Sequence, residues 1–179
     1  MKKLIFAAVA AVLVPACAST PKTPQEVATM QSRAGTTVAE MRQRDPSITP
    51  VLDNAYAYAV FPEVGKAGFI AGGASGSGIL YERGRPSGNV KLTQASLGAQ
   101  AGAQTYAELV ILNNQDQVNK LKNGSFDLGA NVNAVVLKQG AAATTGTARG
   151  TTVFVMPKGG AMVDISVAGQ QLKFEPFAG

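Results

Sequence analysis

The sequence of 179 residues contains no histidine, no tryptophan and a single cysteine. Without histidine, the chain lacks the commonest general base, the commonest metal ligand and the side chain that titrates nearest to neutral pH. Active sites built on a serine–histidine or cysteine–histidine pair are therefore excluded. A single cysteine also excludes a disulfide within the chain, so packing alone must stabilise the fold.

Acidic residues are few, which weakens the case for metal binding and for acid–base catalysis. They do not have the spacing of a calcium-binding loop, and we predict neither a metal nor another cofactor. One enzyme hypothesis stays open, a hydrolase that uses Glu108 and Asp164 as a pair. Because a single glutamate in a strand is more often solvated or paired, we predict a protein that is not an enzyme. The scattered carboxylates are Glu63, Glu82, Glu108, Asp116, Asp127 and Asp164.

Basic residues outnumber acidic ones only slightly. There are 16 lysines and arginines against 11 aspartates and glutamates, and Lys2 and Lys3 belong to the N-terminal leader. The excess is too small and too dispersed for nucleic-acid binding, which needs clustered cations and stacking aromatic side chains. We therefore predict no nucleic-acid partner and a weak preference for anionic surfaces.

Residues 1–17 have the pattern of a secretory signal. Two lysines precede an apolar run that is too short to span a bilayer as a stable helix. The sequence LVPAC resembles a lipobox, in which Cys17 becomes the lipid-modified first residue of the mature protein. Ala16 and Ala18 also satisfy the small-x-small rule of ordinary cleavage, so secretion to the periplasm is the alternative.

The leader divides the chain into three predicted segments. Residues 1–17 form the signal peptide with its lipobox, residues 18–22 form a tether, and residues 23–179 form one domain. No aspartate follows Cys17, which resembles the sorting pattern of outer-membrane lipoproteins. We therefore expect a lipid-anchored protein of the cell envelope at the outer membrane.

Three helices are predicted from capping residues and apolar spacing. The run Thr23-Pro24-Gln25-Glu26 is a capping box with proline at the first helical position, and the helix should end before Pro46. This helix is amphipathic, so it either covers one face of the domain or lies on a membrane. Shorter helices are predicted over 47–54 and 114–123.

The stretch from Ala55 to Tyr81 organises the rest of the chain. We predict a hairpin with its turn at 62–66, followed by a strand over 67–81. Side chains alternate between faces in a strand, so one face of this strand would be almost bare backbone. Such glycines mark a bend or a place where another body, protein or lipid, approaches the main chain closely. The predicted close-approach positions are Gly68, Gly72, Gly76 and Gly78.

Alternating apolar residues predict the remaining strands. These cover 90–107, 128–138, 151–156 and 161–167, with a polar turn at 82–89, a loop at 139–150 and a turn at 157–160. The predicted fold class is α+β. We expect a mostly antiparallel, strongly twisted or barrel-like sheet, covered by one or two N-terminal helices and a short helix near 114–123.

Several segments together resemble the SYLF domain, a lipid-binding family found in bacterial envelope proteins and in eukaryotic membrane-trafficking proteins. The run AYAVFPEVGKAGFIAGGASGSGILYERG is similar to the opening signature of that domain. The segments GAQAGAQTYAELVILNN, FDLGANVNA and VFVMPKGGAMVDISVAGQQL follow in the family's order, so the likeness spans roughly 27–174. The resemblance implies that the domain over 23–179 binds membrane phospholipid.

Four basic residues at predicted turns are candidates for contact with lipid headgroups. They are Lys66, Arg83, Arg85 and Lys158. Each can contribute ~1 kcal/mol near an anionic surface. The alternative for these residues is a solvated turn without a ligand. The alternative for the whole domain is an envelope scaffold or protein-interaction module that binds a protein partner and no specific lipid.

Overall fold

The structure is a computed structural model of the chain. It describes residues 20–68, 71–97, 102–129, 132–138, 141–145, 151–160, 167 and 169–177. The predicted signal peptide, the predicted acylation site Cys17 and nearly all of the predicted strand over 161–167 lie outside these residues.

The three predicted helices are confirmed. They are α1 (Pro24–Arg44), α2 (Ile48–Asn54) and α3 (Gln115–Lys122). Helix α1 begins with the predicted capping box, because the Thr23 hydroxyl accepts a hydrogen bond from the Glu26 amide while the Glu26 carboxylate accepts one from the Thr23 amide. The side chain of Asn114 caps α3 in the same way, at 3.0 Å from the Gln117 amide. Among the helices of the described ranges, none has the length and apolar character needed to cross a bilayer.

Nine strands of the described chain form one curled sheet. They are β1 (Ala57–Gly68), β2 (Ala71–Glu82), β3 (Arg85–Leu97), β4 (Gly102–Leu112), β5 (Ser125–Leu128), β6 (Val132–Lys138), β7 (Ala141–Thr145), β8 (Thr151–Gly160) and β9 (Gln170–Pro176). Their order is β5-β9-β3-β2-β1-β4-β8-β6-β7. Neighbours are antiparallel except β6 and β8, which run parallel. The sheet is a strongly curled half-barrel, so the predicted fold class is confirmed.

The predicted turn at 62–66 is wrong, because β1 continues through it. The register of β1 shifts between Val60 and Glu63 against β2 and between Phe61 and Val64 against β4, which is a β-bulge. Gly68 then pairs with Gly72, so β1 and β2 form the hairpin. Proline and glycine gave the signal of a turn here, but both residues also occur at bulges within strands.

Two predicted strands are each divided in the structure. The alternation over 90–107 belongs to two separate strands, β3 and β4, which have β2 and β1 between them in the sheet. The prediction over 128–138 covers the end of β5 and all of β6. An alternating pattern continues with the same period on both sides of a reversal, so it does not reveal the turn.

The connections also differ from the prediction. The polar turn at 82–89 is only two residues long: Arg83 and Gly84 both have positive φ, as a tight hairpin requires. The predicted loop at 139–150 contains β7, and the predicted turn at 157–160 is the end of β8. These small residues can continue a strand because a neighbouring strand supplies their backbone hydrogen bonds.

The two faces of the sheet carry separate hydrophobic cores. On the inner face, residues such as Phe61, Val110 and Leu172 pack with Val118 and Leu121 of α3. On the outer face, Val60, Leu109 and Phe154 pack with the two N-terminal helices. Ala34 and Met41 of α1 are fully buried there, so α1 covers the sheet, which confirms the first of the two roles considered for it.

Candidate functional site

The four predicted headgroup residues do not form one patch. Arg83 and Arg85 are exposed at the β2–β3 turn, and the Arg83 guanidinium lies 5.4 Å from the centre of the Tyr56 ring. Lys158 lies on β8, with its Nζ 4.0 Å from a carboxylate oxygen of Glu40 on α1. The two arginines and the two lysines lie toward opposite ends of the strands, roughly 30 Å apart at the rise of an extended chain.

Lys66 lies inside the domain, not at an exposed turn. It is 4 % exposed, and its Nζ has no hydrogen-bond partner among the described residues. The bulge explains this position. One extra residue between Phe61 and Val64 places Lys66 on the same face as Phe61, which is the inner face. The prediction of an exposed headgroup contact at Lys66 therefore disagrees with its placement.

Lys66 belongs to a group of buried polar side chains that we call the inner polar layer. Its members are Lys66, Gln94, Gln104, Glu108 and Gln170, and each is at most 7 % exposed. The backbone register aligns most of them in one row across the sheet. Gln170 is opposite Gln94, Gln94 is opposite Ala74, Ala74 is opposite Lys66, and Lys66 is opposite Gln104.

Glu108 lies in the same layer and is fully buried. The Gln170 side-chain amide donates a hydrogen bond of 2.9 Å to Glu108 Oε2 and lies 3.5 Å from the Tyr106 hydroxyl. Three strands separate β9 from β4 in the sheet order, so this contact crosses the concave side and shows how strongly the sheet curls.

Burial changes the protonation of this cluster. Removal from water raises the pKa of Glu108 to about 8, although the bond from Gln170 acts in the opposite direction. Burial, and then the charge of Glu108, also raise the pKa of Tyr106. The Glu108 carboxyl is therefore protonated at neutral pH and can donate as well as accept a hydrogen bond.

The inner polar layer is not satisfied by its own members. Four buried side-chain atoms have no hydrogen-bond partner in the part of the chain that the structure describes: Lys66 Nζ, Gln104 Nε2, Glu108 Oε1 and Gln170 Oε1. Each such atom costs about 1–3 kcal/mol of desolvation. The layer therefore offers free donors and acceptors to water or to a small polar group.

A single glutamate in a strand is expected from the sequence to be solvated or ion-paired. Glu108 is fully buried and forms no ion pair among the described residues. Its position within the apolar run TYAELVIL was the sequence feature that could have indicated a buried glutamate. Its proposed catalytic partner, Asp164, lies outside the described residues. Among the residues that are described, no three acidic, cysteine or histidine side chains form a metal-binding group.

Strand β1 itself lies close to two of the predicted close-approach glycines. A Cβ atom on Gly76 would lie 2.9 Å from the Glu63 carbonyl oxygen. One on Gly78 would collide with the Val60 carbonyl oxygen and lie 2.8 Å from Phe61. The bulged part of β1 therefore occupies the bare face of β2 at these positions. Gly68 and Gly72 pair with each other beside the hairpin reversal.

The outer surface of β3 and β9 carries a pair of cations that the sequence argument missed. Lys91 and Lys173 are direct cross-strand partners, and neither forms an ion pair within the described part of the chain. Like charges in this arrangement repel each other, so the pair favours a bound anion. Pairing of β3 with β9 joins distant parts of the chain, which no local pattern reveals.

Polar residues surround this pair. Thr93 and Gln171 are exposed on the same face, and the Gln171 amide donates a hydrogen bond of 3.2 Å to Asp127. Glu175 is the acidic residue two positions beyond Lys173. We call the area around Lys91, Thr93, Gln171 and Lys173 the outer β3–β9 surface.

A family model matches the chain over residues 93–176, and its description is Ysc84, Las17-binding protein actin regulator. The match begins inside β3 and ends with β9, so it covers a little under half of the chain. It includes Glu108, Gln170 and Lys173. No curated protein sequence matches the chain.

Proposed function

Because a model of the Ysc84 (SYLF) family matches residues 93–176, we propose that this chain is a lipid-anchored bacterial envelope protein that binds phospholipid through a SYLF-like domain. The family supports a non-enzymatic binding domain. The proposal adds the ligand, which is phospholipid, and the place, which is the cell envelope.

The pair of Lys91, which is half-buried, and Lys173, which is exposed, is the observation that carries the lipid assignment. Two adjacent cations that form no ion pair with the described carboxylates suit the phosphate of a phospholipid headgroup. Arg83 and Arg85 add positive charge at one end of the sheet. The surface is modest in charge, so we expect binding to anionic membranes that weakens strongly with salt.

The location follows from the leader. Acylation of Cys17 would hold the mature chain at a membrane, and the residue after it resembles outer-membrane sorting. Ordinary cleavage, with release into the periplasm, remains the alternative. Intact-mass measurement of the protein from its native membrane distinguishes the two, because acylation adds the mass of the lipid.

Membrane binding by the domain itself can be tested without the anchor. The substitution Cys17→Ser removes the only thiol that can be acylated and keeps Ala16 and Ala18 for ordinary cleavage. We expect the released protein to sediment with vesicles that contain phosphatidylglycerol and much less with phosphatidylcholine vesicles. Equal failure on both kinds of vesicle would remove phospholipid binding as an activity of the domain.

A protein-binding module is the second candidate function. The family description names the binding of a protein, Las17, and the regulation of actin. The close packing of Gly76 and Gly78 against β1 also gives these glycines a structural role that needs no lipid. A stoichiometric envelope protein recovered with the chain, with no lipid retained in native mass spectrometry, would favour this function over the first.

A further inference from the structure

The position of the N-terminal segment relates the anchor to one surface of the domain. The side-chain amide of Asn89 donates a hydrogen bond of 3.1 Å to the carbonyl oxygen of Pro21. Asn89 is only 2 % exposed, and Pro21 is buried as well. Helix α1 begins directly afterwards with its capping box, so the chain is fixed to β3 from Pro21 onward.

Cys17 lies only a short distance along the chain from this contact. Ala18, Ser19 and Thr20 alone separate it from Pro21. Even a fully extended chain would span no more than about 14 Å over this distance. If Cys17 is acylated, as the proposed function holds, Asn89 must lie within about that distance of the membrane interface.

The surface beside Asn89 carries two cations, together with one acidic residue, Glu175, which is the cross-strand partner of Asn89. Lys91 follows Asn89 on the outer face of β3, and Lys173 lies opposite Lys91 on β9. Lys22, next to Pro21, is also exposed. Helix α1 packs against β1 and β2, and Thr93, Gln171 and Lys173 remain exposed.

We infer that the outer β3–β9 surface is the part of the domain that faces an anionic phospholipid bilayer, with Lys91 and Lys173 against the headgroups. The short tether sets this orientation, and the two lysines stabilise it. The inference rests on the proposed function for its anchor. The inference goes beyond the proposed function because it assigns the outer face of the sheet to the membrane. Helix α3, on the inner face, then points away from the membrane.

The test uses the native acylated chain in vesicles of phosphatidylglycerol and phosphatidylcholine. Acylation occupies Cys17, so a cysteine introduced elsewhere is the only free thiol. Thr93→Cys places a fluorophore on the outer β3–β9 surface. Asn119→Cys is the matched control, because Asn119 is also exposed but lies on α3, which packs on the inner face.

We expect a lipid that carries a quencher in its headgroup to quench the Thr93→Cys label several-fold more than the Asn119→Cys label. The further substitutions Lys91→Ser and Lys173→Ser should reduce this difference on anionic vesicles. Equal quenching at both positions, or stronger quenching at Asn119→Cys, would overturn the inference.

The outcome can be separated from the proposed function. Sedimentation of the released Cys17→Ser protein reports whether the domain binds phospholipid, and intact mass reports whether Cys17 is acylated. A protein that binds and is acylated, but shows equal quenching at the two positions, keeps its proposed function and loses the proposed orientation. An intact mass without the added lipid would remove the tether and with it the inference.

Discussion

Lys66 on the inner face and Lys173 on the outer face are both strand lysines without an ion-pair partner among the described residues. Lys66 is 4 % exposed and lies among buried glutamines, whereas Lys173 is exposed beside a second lysine. The buried ammonium loses its water and donates no hydrogen bond to any described residue. The exposed ammonium keeps its water and can exchange it for an anionic headgroup.

This comparison shows that the face of the sheet on which a lysine lies decides whether its ammonium group is buried or can bind an anion. A one-residue bulge between Phe61 and Val64 is enough to place Lys66 on the inner face. On β3 and β9 the alternation is regular. Leu92 and Leu172 are therefore buried on the inner face, and their sequence neighbours Lys91 and Lys173 lie on the outer face. The same residue type therefore contributes to the polar interior in one place and to a membrane-facing surface in the other.

The largest expected effect concerns the inner face and its dependence on pH. The folded protein raises the pKa of Glu108 from 4.5 to about 8, so the folded state holds a proton that the unfolded state releases. The stability linked to this proton is fully present below pH 4.5 and is lost as the pH rises through about 8. The loss is on the order of 5 kcal/mol in the free energy of unfolding.

Urea unfolding at several pH values checks this, with Glu108→Gln as the matched variant. Glutamine keeps an acceptor for the Gln170 amide and has no proton to lose. We expect the stability of the wild-type protein, relative to Glu108→Gln, to fall between pH 4.5 and 8.5. Parallel stability curves for the two proteins would show that Glu108 is not a buried acid.

The second prediction tests the packing that holds the bulge. In Gly78→Ala, the new Cβ would collide with the Val60 backbone, which cannot move without shifting β1. We expect a loss of roughly 3 kcal/mol in the free energy of unfolding. Gly65→Ala is the control, because a Cβ there meets nothing within 4 Å. A loss no larger than that of the control would mean that β1 does not approach Gly78.

The third prediction compares the two kinds of lysine directly. Lys66→Met removes a buried ammonium without a partner and keeps most of the side-chain volume, so it should stabilise the protein by about 1–3 kcal/mol. Lys173→Met on the outer face should change stability by less than about 0.5 kcal/mol. Urea unfolding at pH 7 measures both. Destabilisation by Lys66→Met would show that the ammonium has a bound partner.

Local patterns predicted the helices and the fold class because their signals lie within a few residues. The capping box at Thr23 and Glu26 is one example, and the asparagine cap of α3 is another. Strand limits were harder to predict. A proline and a glycine near 62–66 mark a bulge as readily as a turn, and alternation continued from β3 into β4 without marking the reversal.

The candidate site could be predicted only in part. Arg83 and Arg85 lie at an exposed turn, as expected for that kind of residue. Lys66 does not, because its face depends on a bulge that composition does not reveal. The Lys91–Lys173 pair and the Gln170–Glu108 bond each join parts of the chain that are distant in sequence, so only the strand order brings them together.

The most direct measurement of the central claim is the reactivity of each lysine toward a water-soluble acetylating reagent, read by peptide mass spectrometry with and without anionic vesicles. The account predicts that Lys66 stays unreacted in both conditions, and that Lys91 and Lys173 react in solution and become protected on the vesicles. It is contradicted if Lys66 reacts as fast as Lys173, or if Lys173 keeps its full reactivity on a chain that is bound to the membrane.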